Sequence, residues 1–148
     1  MILVDADACP VKEEVARVAL RHECPVRFIA NQGLRLPDHP LISMQVVDAG
    51  FDAADDAIAE AAGPDTLVIT SDILLADRCL KAGAAVMDPK GQSFSAASIG
   101  AQIATRAIMA DLRAGLDGQG IGGQRPFSQK DRSQFLNALE NALRKLPR

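Results

Sequence analysis

Residues 2–10 read ILVDADACP, an apolar run that gives way to two carboxylates one residue apart, Asp5 and Asp7, followed by Cys9 and Pro10. Ile2, Leu3 and Val4 predict a strand through Asp5. Pro10 suits the first turn of a helix, and Val11, Val15, Val18 and Ala19 supply its buried face through about His22. Carboxylates spaced like Asp5 and Asp7 repel each other. Solvent, a hydrogen-bond donor or a bound cation has to offset that repulsion.

The rest of the chain repeats the alternation of short apolar runs and helical stretches. VRFIA (26–30) predicts a second strand ending at Asn31, and SMQVVDAG a third ending near Asp48. FDAADDAIAEAAG predicts an Ala-rich helix with Asp52 as N-cap and Gly63 as stop. TLVITSD predicts a strand stopping at Ser71 and Asp72, ILLADRCLKAG a helix ending at Gly83, and AAVMDP a strand ending at Asp88. Ser95 or Ser98 opens a longer helix to about Ala114. GLDGQGIGGQRP (115–126) predicts a Gly-rich link, and Ser128 with Asp131 a capping box for a last helix to about Lys145. The expected architecture is a single α/β domain, Rossmann-like, with a mostly parallel sheet of about five strands flanked by helices. In such sheets ligands bind beyond the carboxyl ends of the strands. Here those ends carry Asp5, Asn31, Asp48, Asp72 and Asp88.

Composition narrows the function. The chain has 148 residues, enough for one domain with its own core, and only five Phe with no Trp or Tyr. Its core is therefore aliphatic, and it lacks the aromatic platforms on which single-strand binders stack bases. The longest uncharged run, 91–105, is too short and too polar to span a bilayer, and no secretion signal is expected. Cys9, Cys24 and Cys79 form no CxxC pair and there are two His, which argues against zinc and for a reducing, cytoplasmic setting. Residues 1–99 hold 8 Lys+Arg against 15 Asp+Glu, net −7, whereas 100–148 hold 8 against 4, net +4. An acidic body beside a basic C-terminal part accommodates a metal in one place and phosphate in another. Solvated helices produce the same balance.

Hard cations such as Mg²⁺ or Mn²⁺ take oxygen ligands, commonly carboxylates with water and substrate phosphate. Asp5, Asp7, Asp72, an acid of DAADD and Asp88 make such a donor set, and the corresponding chemistry is metal-assisted hydrolysis of a phosphate ester. Each acid also has a plainer role. Asp7 can cap the following helix; Asp52, Asp55 and Asp56 all favour a helix N-terminus, although together they crowd its first turn; Asp72 can do the same for its own helix. Asp48 and Asp77 read as solvated. Cys9 reads as a small packing residue rather than a nucleophile, since neither His suggests a partner base. Arg106 and Arg113 share a helical stripe with Ile99, Ile103 and Ala110, where they either snorkel to solvent or reach a phosphate. The Gly-rich link matches neither a P-loop nor a dinucleotide fingerprint.

VDADACP…K, ANQ, GFDAADD, VITSDILLA, GAAVMDPKG and GGQRPFSQKDR, in this order and spacing, resemble the YaiI/YqxD family of uncharacterised bacterial proteins over nearly the whole chain. That family is similar in turn to the PIN/NYN-like group of metal-dependent nucleases. The resemblance implies a Mg²⁺- or Mn²⁺-dependent ribonuclease-like site whose acids match Asp5, Asp55 (with Asp52 and Asp56 as near neighbours), Asp72 and Asp88, with RNA as the expected partner. Joined with the reading of the residues themselves, the expected catalytic acids are Asp5, Asp7, Asp55 and Asp72, the expected metal ligands these four and Asp88, and the expected substrate contacts Asn31, Ser71, Arg106 and Arg113. The second acid of DADACP and the ANQ segment are not general features of that group, whose central-helix acids are commonly Glu. ILVDADAC also resembles the hhhhDxDx[TV] opening of haloacid-dehalogenase phosphatases, with Asp5 as nucleophile and Asp7 as general acid. Cys9 departs from the Thr or Val expected there. A third expectation is a PIN-like domain that binds RNA or protein without catalysis.

Overall fold

The computed structural model describes residues 1–48, 52–115 and 126–146, without the side chains of residues 8, 110, 111 and 113–115. Six strands form one sheet: β1 (Ile2–Asp5), β2 (Val26–Ala30), β3 (Ile42–Val46), β4 (Leu67–Ile69), β5 (Ala85–Met87) and β6 (Ser93–Phe94). The helices are α1 (Lys12–Arg21), α2 (Ala53–Ala61), α3 (Ile73–Lys81), α4 (Ala96–Gly115) and α5 (Gln129–Lys145). The strand order is β3-β2-β1-β4-β5-β6, parallel except for the short last strand. This is a Rossmann-like arrangement, as the alternation of elements predicts. The two-residue β6 escaped the sequence pattern because it is too short to show a period.

Period-two alternation decides which side chains go to which face, and both faces are apolar because helices cover both. Ile2, Val4, Val26, Phe28, Leu67, Ile69 and Met87 point to the side packed by α1 and α5. Leu3, Ile29, Val68 and Val86 point to the side packed by residues of α2, α3 and α4, among them Ile58, Leu75, Cys79 and Ile99. Phe28 and Phe135 are the largest fully buried side chains of a core that is otherwise aliphatic. Among the described residues no helix is long and apolar enough to cross a membrane.

Two local readings change and a third holds. Pro10 precedes α1 by a turn rather than opening it, because Ala6–Ala8 first forms a 3-10 turn. Asp52 takes the N-cap position of α2 with a left-handed backbone (φ 66°), but its side chain caps nothing. The Ser128–Asp131 capping box is present: Asp131 N–H donates to Ser128 Oγ at 3.1 Å and Ser128 N–H to Asp131 Oδ2 at 3.0 Å. Most of the Gly-rich link, 116–125, lies outside the described residues.

Candidate functional site

The chain leaves β1 for β2 on one side and reaches β4 on the other, so the strand order reverses between β1 and β4. At that switch point the two diverging connections leave a crevice beyond the carboxyl ends of the strands. Asp5 ends β1, and Thr70 and Asp72 follow β4 directly. Thr70, buried at 2 % exposure, joins them. Its hydroxyl donates to Asp5 Oδ2 at 2.8 Å and accepts the Asp72 backbone N–H at 3.0 Å. Asp72 caps α3, its Oδ1 accepting from Leu74 N–H (2.9 Å) and Leu75 N–H (3.2 Å). One oxygen of each carboxylate is thus tied to the scaffold. Asp5 Oδ1 and Asp72 Oδ2 accept no hydrogen bond among the described residues.

Asp55 is the third member. It lies half-buried in the first turn of α2, whereas Asp56 is exposed and pairs with Arg78 of α3 at 3.0 Å. Burial, then the charges of Asp72, Asp5 and Asp52, push the Asp55 carboxyl up to about 6 against a lowering pull from Arg78. Asp5 is raised as well: burial dominates, the Thr70 hydroxyl pulls it back, and Asp72 and Asp7 add like-charge repulsion. Segments far apart in sequence therefore meet electrostatically. Asp7, exposed on the 3-10 turn, holds the end of β2 by accepting Asn31 N–H on both oxygens at 3.1 Å, and does not cap α1. That bond also places Asn31 beside the group.

Other expected site residues make local contacts or are exposed. Asp88 Oδ1 accepts Lys90 N–H and Gln92 N–H at 2.9 Å each, organising the turn between β5 and β6. Asp-Pro-Lys-Gly is turn chemistry, with Pro at the second position and Gly91 at φ +88°. A Cβ on Gly91 would lie 2.8 Å from the Gln134 carbonyl oxygen, so this turn rests on the backbone of α5. Asp88 has a structural duty that its sequence position did not reveal. Ser71 is exposed next to Asp72, and Arg106 is exposed on α4. The Arg113 side chain lies outside the described residues. Asp48 is exposed beyond β3, while Asp77 pairs with Lys81 at 3.0 Å. Cys9 is 3 % exposed and burial pushes its thiol up to about 11, the behaviour of a packing residue.

Sequence reasoning missed two contributors. Thr70 was hidden inside TSD, where the two flanking positions drew attention; a hydroxyl ending the strand next to an acid-terminated strand was the available signal. Lys12 Nζ donates to Cys9 O at 2.8 Å and to Ala6 O at 3.4 Å, stapling the turn that carries Asp7.

Among the described residues no three Asp, Glu, His or Cys groups are gathered closely enough to hold a metal ion directly. The donor set is all carboxylate, which suits a hard cation. Mg²⁺ keeps several waters and is usually held by one or two carboxylates, so Asp5 and Asp72 with their unspent oxygens match such binding. Two cavities lie elsewhere, at the amino ends of the strands: one of about 230 Å³ against Met1, Pro25 and Leu143, one of about 610 Å³ against Pro64, Ala85 and Ala142.

Fold and site define a Rossmann-like α/β domain with acids clustered at its switch point. The chain belongs to the family described as Uncharacterized BCR, YaiI/YqxD family, whose pattern it matches over residues 3–145. It is 66 % identical over 146 residues to a UPF0178 protein of Jannaschia sp. (strain CCS1), covering 99 % of this chain and 94 % of that one. A UPF0178 protein of Sphingopyxis alaskensis is 63 % identical over 148 residues, covering 100 % and 96 %. One from Bradyrhizobium diazoefficiens is 53 % identical over 147 residues, covering 99 % and 87 %. No solved structure gives a significant match.

Proposed function

We propose that this protein is a PIN-like, Mg²⁺- or Mn²⁺-dependent phosphodiester hydrolase acting on RNA in the cytoplasm, with Asp5 and Asp72 holding the cation, Asp55 acting on it through water and Asp7 at the rim. One observation carries the reading: Asp5, Asp55 and Asp72 converge electrostatically at the switch point from three separate segments, and no Lys or Arg among the described residues forms an ion pair with them. Carboxylates left in that state favour a cation from solution. A bound cation lowers the pKa of a water and neutralises charge developing on the phosphate. The protein's own part is preorganisation. Thr70 fixes Asp5, the start of α3 fixes Asp72, and Asn31 N–H fixes Asp7. The three free thiols, Cys9, Cys24 and Cys79, support a reducing compartment.

The first test is a Mn²⁺ titration followed by paramagnetic broadening of assigned backbone amides, in wild type and Asp72→Asn. The reading expects selective broadening around Asp5, Asp55 and Asp72, weakened in the variant, and hydrolysis of bis(p-nitrophenyl) phosphate and RNA. Diffuse broadening over all surface acids, unchanged by the substitution, overturns it. Hydrolysis of p-nitrophenyl phosphate alone turns the assignment to a haloacid-dehalogenase-like phosphatase. RNA binding without hydrolysis turns it to a non-catalytic PIN-like domain.

A further inference from the structure

We infer that the α1/α5 side of the carboxyl edge is a track for the backbone phosphates of a single nucleic-acid strand, with Lys90 and Lys130 as its contact cations; this rests on the phosphodiesterase reading. α5 runs opposite to the strands, so its first turn lies at the acid-bearing edge. Arg132 Nη1 donates to Glu14 Oε1 at 2.6 Å and to Pro10 O at 3.4 Å, while Gly91 sits against the Gln134 and Phe135 backbone. The loops after β1 and β5 are therefore both seated on the start of α5.

Among the described residues four cations collect there, and they divide by use. Lys12 is spent on the Ala6 and Cys9 carbonyls. Arg132 is spent on Glu14 and lies over the Phe127 ring at 5.1 Å. Lys90, half-buried at the β5–β6 turn, and Lys130, exposed in the first turn of α5, form no side-chain hydrogen bond or ion pair among the described residues. Lys130 also opposes the helix dipole, which favours acids at an N-terminus. Of the acids in the first turns of α1 and α5, Glu14 and Asp131 are buried and only Glu13 is exposed. On the other side of the sheet the start of α2 carries exposed Asp52 and Asp56, the latter paired with Arg78. A polyanion held at the switch point is thus repelled on the α2 side and attracted on the α5 side.

Among the described residues the bases have little to stack on. Phe28 and Phe135 are buried, Phe127 is covered by Arg132, and Phe94 is half-buried within the α2–α4 core. Binding through phosphates alone is sequence-tolerant and strongly salt-dependent.

The test measures binding of fluorescein-labelled oligo(U) and oligo(dT) to the full chain across a salt series, in wild type, Lys90→Gln/Lys130→Gln and Arg144→Gln/Lys145→Gln. The last variant removes the same charge from the far end of α5. A track at Lys90 and Lys130 lowers the slope of log K against log salt by about 1.4, roughly 0.7 per phosphate on a single strand, in the first variant only. Equal slopes in all three proteins overturn the inference, as does equal loss in both variants. A wild type that hydrolyses bis(p-nitrophenyl) phosphate yet binds neither strand overturns the track and leaves the hydrolase reading intact. Absence of both Mn²⁺ binding and diester hydrolysis overturns the reading itself, and the track with it.

Discussion

The two edges of the sheet divide space from charge. At the amino edge lie the two cavities, lined largely by Gly83, Ala84, Ala85, Ala138 and Ala142 in one and by Met1, Pro25, Leu143 and Leu146 in the other. Some of the charges beside them are paired: Glu140 takes both Arg21 and His22, the latter with 2.5 Å between Nε2 and Oε2. The carboxyl edge holds acids whose mutual repulsion is only partly offset, by the Thr70 hydroxyl on Asp5 and by Arg78 near Asp55. Enclosed apolar volume is the usual mark of a small-molecule site. A hydrated cation and a phosphate strand need open access and charge instead, and the proposed function draws on these at the carboxyl edge.

Substitutions at each edge separate these roles. At the amino edge, Leu143→Ala, at a site 2 % exposed, is expected to cost about 3 kcal/mol in urea unfolding while Mn²⁺ affinity stays unchanged. A parallel loss of Mn²⁺ affinity would break the division. At the carboxyl edge Asp72→Asn keeps an oxygen for the α3 cap and removes the charge. Mn²⁺ affinity should fall about 100-fold, the upper range known for partners that support metal sites, with little change in melting temperature. Thr70→Val keeps the shape and loses the bridge to Asp5, so Mn²⁺ affinity should fall roughly tenfold and return with Thr70→Ser. Asp88→Ala removes an acceptor for two N–H groups and should cost about 1–2 kcal/mol of stability without touching Mn²⁺ binding.

The smallest effect concerns pH. Asp55 is near 6 in the folded protein against an ordinary 3.8, so the folded chain holds an extra proton between those values. Stability therefore falls as pH rises through that window. In metal-free protein, Asp55→Asn should be more stable than wild type by about 1 kcal/mol above roughly pH 7, after solvent screening of a half-exposed group, and equal to it below about pH 3.5. Equal stability at both pH values would show that Asp55 is solvated like Asp56.

Much of the site was legible because strand ends are marked in the chain by an abrupt change from apolar to acidic residues. Asp5 and Asp72 were readable in this way. Choosing among Asp52, Asp55 and Asp56 was not, since all three favour a helix N-terminus and differ only in what lies opposite. Asp88 adds a duty that its place after a strand does not reveal: its Oδ1 holds the turn between β5 and β6.

The sequence by itself determined the alternation of strands and helices, the acids at the strand ends and the Ser128 cap, all of which rest on local periodicity and backbone preference. Only the tertiary structure decided that β4 lies beside β1. That pairing brings Thr70 to Asp5, while the packing of α2 against β1 and α3 sets Asp55 within the field of both acids and Asp56 beside Arg78. Local preference acts over a few residues along the chain. Repulsion among carboxylates depends on distance through space, and only the sheet order sets that distance.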